Sequence, residues 1–158
     1  MKKGGMFAVL RIFMGWTFLW PFFDKLFGLG FATASEKAWL LGNSPTLGFL
    51  TNATKGPFSL IFKALAGNVL VDWLFMFGLL FIGIGLIFGV ARKISCYSGA
   101  LLLLLMWLAV LPPNNNPIID DHIIYGIVLI VLANMKTPYS LSKWWSSLKI
   151  VRNNKWLE

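Results

Sequence analysis

The strongest constraint in this sequence is a set of long apolar runs with almost no charge. Residues 73–91 and residues 94–111 contain no Asp, Glu, Lys or Arg. Residues 6–28 are apolar except for three charged residues, and residues 118–135 are apolar after a charged start. Apolar stretches of about 18 residues or more are typical of transmembrane helices. The sequence therefore predicts an integral membrane protein.

The composition supports the same class. Of the 158 residues, 58% are hydrophobic and 13% are charged, and the mean hydropathy is +0.73. A small soluble domain buries only about 60–70% of the surface that its unfolded chain exposes, which is too little to hide this much apolar area. We expect an all-α, integral membrane four-helix bundle within residues 1–138, followed by an amphipathic cytoplasmic tail over residues 139–158. The predicted spans are about 6–28, 70–91, 94–111 and 118–135.

The net charge of +8 could indicate a nucleic-acid-binding protein, but the basic residues lie at span ends and in the tail. Lysine and arginine at those places set the orientation of a membrane protein. Membrane lipids are therefore predicted as partners, and nucleic acid is not. With both termini in the cytoplasm, nine basic residues lie inside and four outside, while Arg11 is left uncounted because it falls within a span. The inner set is Lys2, Lys3, Arg92, Lys93, Lys136, Lys143, Lys149, Arg152 and Lys155, and the outer set is Lys25, Lys37, Lys55 and Lys63.

The long segment between the first two spans, residues 31–68, contains two candidates for short helices. Ser35 can cap the first, which stops at Gly42, and the second follows Pro57. We expect such helices to lie in the outer membrane interface or to cover the bundle, and a plain connecting loop is the alternative.

Two patterns predict how the remaining helices pack. Gly85 and Gly89 form a GxxxG pair, with Gly78 one helical face away, and small residues permit close helix approach. In the tail, one helical stripe indicates a single amphipathic helix on the inner leaflet. The stripe consists of Leu141, Trp144, Trp145, Leu148 and Val151.

Polar or indole groups from all four predicted spans fall near the predicted outer ends. Charges within a span are costly, so each is a candidate functional group. A helix rise of about 1.5 Å per residue places these groups within roughly 5–8 Å of the outer interface. We therefore predict a shared polar pocket at that depth. The candidate catalytic residues are His122, Asp121 and Asp120, and the candidate substrate-binding residues are Lys25, Asp72, Trp107, Tyr125 and Trp20.

A structural interpretation competes with the functional one for each of these residues. Asn116 is a candidate N-cap and Pro117 a candidate first-turn residue, so Asp120 and Asp121 could only complement the helix dipole. Asp24 and Lys25 could reach the interface as anchors. Arg11 lies about 7–8 Å in from the inner end of the first span, as a structural intramembrane charge whose partner the sequence does not identify.

The chemistry predicted for the pocket is proton exchange. An aspartate beside His122 can fix the imidazole tautomer and raise its basicity. Aromatic side chains around the pocket, including Trp20 and Trp107, could flank a flat ring such as a quinone head, although aromatic stripes in spans more often serve packing. The single Cys96 excludes an internal disulfide, and the single histidine cannot supply two haem ligands, so neither haem nor metal is predicted from this chain alone.

Four stretches of the chain resemble the DoxX-like family of small membrane proteins, and within it the DoxD-type subunit of thiosulfate:quinone oxidoreductase. They are residues 10–26, 42–50, 68–79 and 106–125. The segment Asn116-Pro117-Ile118-Ile119-Asp120-Asp121-His122-Ile123-Ile124-Tyr125 is the most specific. The tail is not covered.

The resemblance implies a four-helix fold in the cytoplasmic membrane of a prokaryote. It also implies a subunit that passes electrons from thiosulfate, or another reduced sulfur compound, to quinone, together with a partner subunit. A non-catalytic membrane partner within a larger complex is the alternative, because a shared fold does not fix function. Passage of a small solute is a third reading, which the shortness of the chain disfavours.

Overall fold

The computed structural model describes residues 3–114, 116–135, 137–154 and 157. Their regular structure is entirely helical, with no strand in the described ranges. Three predicted cytoplasmic cations, Lys2, Lys136 and Lys155, lie outside the described residues. The α-helices are α1 (Lys3–Phe27), α2 (Leu47–Asn52), α3 (Ser59–Ala64), α4 (Val69–Phe88), α5 (Arg92–Val110), α6 (Asp121–Asn134), α7 (Ser142–Ser147) and α8 (Lys149–Asn153).

Three of these helices are long and apolar enough to cross a membrane: Gly4–Phe27, Val69–Phe88 and Arg92–Val110. This confirms the all-helical class, and it shows that three of the predicted spans are helices with the length and apolar composition of membrane spans. Helix α6 is shorter than predicted, since it has 14 residues. At about 1.5 Å per residue it is about 21 Å long, against a hydrocarbon core of about 30 Å.

The late start of α6 has a local cause. The Asn116 side chain accepts hydrogen bonds from the backbone N–H groups two and three residues further on (2.9 and 3.0 Å), but these close a turn and not a helix. Asp120 has an extended backbone, and its Oδ1 accepts from the N–H groups of the first helical turn (3.1 and 3.3 Å). The predicted Asn116 cap with Pro117 in the first turn is therefore wrong, and Asp120 is the N-cap.

Helices α1, α4, α5 and α6 pack with successive antiparallel neighbours around one apolar core. Gly99 of α5 lies where they meet. A Cβ atom at Gly99 would lie 2.9 Å from Leu129 of α6, 3.2 Å from Ile82 of α4 and 3.2 Å from Phe18 of α1. We call the end where α1 stops and α4 starts the Asp24 end, and the opposite end the Arg11 end.

The close approach of α1 to α4 depends on two glycines that the sequence patterns did not single out. A Cβ atom at Gly15 would lie 2.7 Å from the Ile87 side chain, and one at Gly83 would lie 2.8 Å from Leu19 Cβ. Neither space could hold a methyl group without a shift of the helices, so this pair sets the distance between α1 and α4.

The predicted GxxxG glycines have different neighbours from one another. Gly85 faces the Ser95 hydroxyl of α5, whereas Gly89 ends α4 in a left-handed conformation (φ +68°) against the Arg11 guanidinium. A Cβ atom at Gly78 would meet nothing within 4 Å. These glycines therefore do not form one packing stripe.

The segment between α1 and α4 contains more short helices than predicted. The helix expected after Ser35 is two 3₁₀ turns, Ser35–Lys37 and Trp39–Leu41, separated by the extended Ala38 (ψ 141°) and ended by a left-handed Gly42. After Pro57 the predicted helix is present, as a 3₁₀ turn at Gly56–Phe58 that leads into α3. Helix α2 was not predicted, and it buries Leu50.

The tail is not the single amphipathic helix that the stripe predicts. Leu148 has an extended backbone (ψ 134°), which separates α7 from α8. The Leu141 N–H donates to the Phe88 carbonyl (2.8 Å), and Val151 is buried, so the tail folds back onto the Arg11 end. The sequence pattern did not indicate this break, because the spacing of apolar side chains does not depend on where the backbone hydrogen bonds are interrupted.

Candidate functional site

A cleft of about 580 Å³ lies at the Asp24 end, between the α2–α3 connection and the α5–α6 connection. It contains all three candidate catalytic residues. We call it the histidine cleft, and its lining is Asn52, Ala53, Lys55, Val110, Pro113, Asn114, Asn116, Ile119, Asp120, Asp121 and His122.

The central contact of the histidine cleft joins His122 to Asp120. His122 Nδ1 lies 2.7 Å from Asp120 Oδ2, and both side chains are half-buried. Since Asp120 Oδ1 caps α6, the same carboxylate is held in place from two sides. A carboxylate in this position favours the tautomer with hydrogen on Nδ1 and leaves Nε2 as the basic nitrogen. Nε2 accepts no hydrogen bond within the described ranges, so the pair is suited to proton exchange.

Asp121 lines the same cleft, one residue beyond the cap. Its side chain is exposed and makes no hydrogen bond with the described part of the chain. It contributes negative charge near His122 without fixing its geometry.

The cation of the histidine cleft is Lys55, which sequence reasoning placed only among the outer charges. Its ammonium donates to the Asn114 side chain, and its backbone N–H donates to the Ala109 carbonyl (3.0 Å). The following residue, Gly56, has a φ of +69°, and a Cβ atom there would collide with the Leu111 carbonyl. In the sequence, the local indication of this site is Lys55 followed by Gly56, because this turn requires a glycine. The sequence did not reveal the contact, because Lys55 and Asn114 are separated by 59 positions along the chain.

Asp24 lies in a loop contact and not in the predicted pocket. It is 1% exposed, and its two carboxylate oxygens accept from the backbone N–H groups of Phe31 (3.2 Å) and Ala32 (3.0 Å). These bonds tie the loop after α1 to the helix end, which is a structural role. The anchor interpretation expects an exposed carboxylate, whereas that of Asp24 is buried in these loop contacts.

Asp72 has a similar structural environment. Its Oδ1 accepts from the Ser44 hydroxyl (2.8 Å), the Thr46 hydroxyl (2.5 Å) and the Thr46 N–H (3.3 Å). The carboxylate is buried and attaches the segment before α2 to the start of α4. It is not in the lining of the histidine cleft.

The remaining candidate binding residues also lie outside that lining. Trp107 donates its indole N–H to the Ile118 carbonyl (2.8 Å) and so braces the α5–α6 connection. Trp20 packs edge-on against an aromatic ring of the loop after α1, with ring centroids 4.9 Å apart. Lys25 is half-buried and Tyr125 is exposed. The predicted polar layer is therefore divided into separate contacts, and the contact around His122 lies in a cleft.

Arg11 lies at the opposite end, and its partners are backbone carbonyls. It is completely buried, and its guanidinium donates to the Leu86 carbonyl, to the Ile87 carbonyl (2.9 Å) and to the Tyr139 carbonyl (2.9 Å). The first two are at the end of α4, where helix carbonyls lack intrahelical donors. Arg11 thus caps α4 and holds the tail.

Arg92 repeats this arrangement on the neighbouring helix. It donates to the carbonyls of Leu132 (2.7 Å), Ala133 (2.9 Å) and Met135 at the end of α6. A cation at a helix C-terminus is also favoured by the helix dipole.

In the part of the chain that the structure describes, no group of three or more His, Cys, Asp or Glu side chains could hold a metal ion. Comparison with family models, with curated proteins and with solved structures finds no match for this chain.

Proposed function

We propose that this chain is the membrane subunit of a DoxX-like system that passes electrons from thiosulfate, or another reduced sulfur compound, to quinone. In this proposal α6 is the fourth helix of a transmembrane bundle, and both termini are on the cytoplasmic side of a prokaryotic inner membrane. The observation that supports it is the His122–Asp120 pair in a cleft that also contains Lys55.

The reaction needs proton transfer as well as electron transfer. Joining two thiosulfate anions through a sulfur–sulfur bond releases two electrons, and a quinone takes up two electrons and two protons to become a quinol. His122 provides a nitrogen that can take a proton from water and donate it to a quinone oxygen. Asp120 orients the ring and stabilises the imidazolium that forms between these steps.

The size and lining of the cleft suit a quinone head. Its volume of about 580 Å³ is within the range of about 300–1,000 Å³ that is usual for small-molecule sites. Val110, Pro113 and Ile119 provide apolar surface, and Lys55 provides positive charge for an anionic reductant. Lys25, which the sequence made a candidate substrate-binding residue, is not in the lining of the cleft, so Lys55 takes its place in this proposal.

The packing of α6 supports its place in the bundle despite its length. Its buried residues Leu129, Leu132 and Ala133 belong to the same core as buried residues of α1 and α4. A short span is accommodated by local thinning of the bilayer at modest cost.

The test is thiosulfate-dependent quinone reduction by the protein purified from its native membranes together with any subunit that remains bound. We expect His122→Gln to lower kcat by about 100-fold, because positioned proton transfer contributes about 10²–10⁴-fold. Asp120→Asn should lower kcat by a smaller factor. Lys55→Gln should mainly raise the KM for the anion. The matched control is Lys63→Gln, which changes an exposed lysine of α3 outside the cleft. Equal turnover of His122→Gln and Lys63→Gln would refute the catalytic proposal.

A non-catalytic role is the second candidate, and the environments of Asp24 and Asp72 favour it. Both carboxylates are buried and occupied by loop hydrogen bonds, so much of the polar layer holds the fold together. Such a subunit should co-purify with a larger membrane complex, contain no quinone and show no turnover.

A further inference from the structure

A second cleft, of about 470 Å³, lies at the Arg11 end among the α4–α5 turn, the end of α6 and helix α7. We call it the basic cleft. Its charged lining is Arg92, Lys93 and Lys143, and no acidic residue is among the lining side chains of the described chain. Hydroxyl and amide groups fill the rest of its polar surface, namely Asn134, Thr137, Ser140, Ser142 and Ser146.

We propose that the basic cleft binds the phosphate headgroup of an anionic phospholipid. Three cations with no opposing carboxylate among the described residues attract an anion, and clustered hydroxyls match the acceptor oxygens of a phosphate diester. Basic pockets between membrane helices on the cytoplasmic side recognise acidic headgroups by this chemistry. The inference does not depend on the redox chemistry of the histidine cleft.

The separation of charge along the molecule supports an anionic ligand at this end. Every acidic residue that the structure describes lies at the Asp24 end, in the histidine cleft, in the loop contacts or in the segment before α2. They are Asp24, Glu36, Asp72, Asp120 and Asp121. The basic cleft is therefore far from the described negative charges, and its cations have no carboxylate partner in the described ranges.

Several donors in the basic cleft remain available. Thr137 Oγ1 is buried without a hydrogen-bond partner among the described residues. This oxygen has almost no accessible surface, so a ligand oxygen would pair with it only after a local shift of its neighbours. Arg92 uses one guanidinium nitrogen for its three carbonyls and has further N–H groups. Lys93 and Lys143 are exposed at the rim.

The position and surroundings of the cleft favour a lipid as the source of the phosphate. It lies at the ends of two candidate spans, Val69–Phe88 and Arg92–Val110, which is the depth of lipid headgroups. The adjoining tail exposes apolar side chains that could meet acyl chains. Among them Tyr139 is 83% exposed, Trp144 57% and Ile150 72%. Tyrosine and tryptophan are enriched at this depth.

The experiment measures lipid binding by the purified full chain in an uncharged detergent. The probes are fluorescent phosphatidylglycerol and phosphatidylcholine of the same chain length, and inorganic phosphate is the competitor. We expect tighter binding of phosphatidylglycerol and weakening by salt, since an exposed charge pair is screened. Lys93→Gln with Lys143→Gln should weaken phosphatidylglycerol binding by about tenfold or more, because each cation near a headgroup contributes about 1 kcal/mol.

The matched control is Lys149→Gln, which removes the same charge from α8 outside the cleft. It should change the affinity by less than about twofold. Ser142→Ala with Ser146→Ala keeps the charge, and we expect it to weaken binding because the headgroup loses two hydroxyl groups of the cleft. Arg92 is not substituted, because it also caps α6.

Three results would overturn the proposal. One is an equal loss in Lys149→Gln and in the double lysine variant, which would indicate diffuse attraction by the whole tail. Another is equal affinity for the two lipids. The third is full displacement by inorganic phosphate at concentrations comparable to those of the lipid, which would assign the cleft to free phosphate.

Discussion

At the scale of single residues, the most informative position is Arg11, because a buried charge in a membrane helix must have partners. Its three acceptors are main-chain carbonyls from two different segments. Capping by a distant arginine leaves no pattern in the sequence of α4 itself. Apolar periodicity could therefore locate Arg11 within a span but could not identify its partners.

Replacement of Arg11 by methionine should destabilise the protein by about 2–4 kcal/mol, because the carbonyls at the end of α4 lose charged donors. Part of that loss is offset, because methionine removes the free-energy cost of burying a charge. Arg11→Lys should recover only some stability, since an ammonium cannot reach all three acceptors in the planar geometry of a guanidinium. Reversible unfolding in mixed detergent measures the effect. Arg152→Met is the control, because Arg152 is exposed on α8, and an equal loss in the two variants would contradict the capping role.

At the scale of helices and their connections, apolar length predicted the spans well and the connections poorly. The predicted spans 70–91 and 94–111 each begin within two residues of α4 and α5. Composition determines such segments because a long apolar helix has few alternatives in a bilayer. The connections depend on side chains such as Asp72, whose partners lie 26 and 28 residues away. No local pattern carries that information.

Asp72→Ala should release the segment before α2 from the start of α4. Three hydrogen bonds to one buried carboxylate are lost, and the expected cost is about 2–3 kcal/mol. Because the contact lies at the Asp24 end, we expect faster amide exchange and proteolysis around Thr46 before any change near Arg11. Glu36→Ala removes an exposed carboxylate from the same loop and is the control. Unchanged exchange at Thr46 in Asp72→Ala would show that the segment is held by other contacts.

At the scale of the whole molecule, the candidate site could be predicted only in part. The Asp120, Asp121 and His122 cluster is contiguous in sequence, and the structure brings it into one cleft. Its cation, Lys55, comes from a loop far away in the chain. The depth argument favoured Lys25 instead, because Lys25 and the cluster were assigned to the same layer. Depth along a helix does not determine the direction in which a side chain points. That direction decides whether a residue lines the cleft or makes a loop contact.

The convergence of four helices on Gly99 gives a prediction for the packing of the whole body. Gly99→Ala should cost about 1–3 kcal/mol, because a methyl group there would crowd Leu129, Ile82 and Phe18 at once. The control is Gly126→Ala in α6, where a Cβ atom meets nothing within 4 Å. That change should be neutral or stabilising, since alanine favours helix over glycine by about 1 kcal/mol. Thermal unfolding in detergent compares the two variants, and equal stability would contradict the shared core.

The separation of charge predicts how the whole molecule is oriented. Positive residues accumulate on the cytoplasmic side of membrane proteins, so the Arg11 end should face the cytoplasm and the Asp24 end the outer side. In intact cells, a membrane-impermeant maleimide should label Lys37→Cys and leave Lys149→Cys unlabelled until the membrane is permeabilised. Both lysines are exposed, and the native Cys96 is buried, so the unmodified chain is a background control. The opposite labelling pattern would invert the orientation, placing the basic cleft against the outer leaflet and the histidine cleft on the cytoplasmic side.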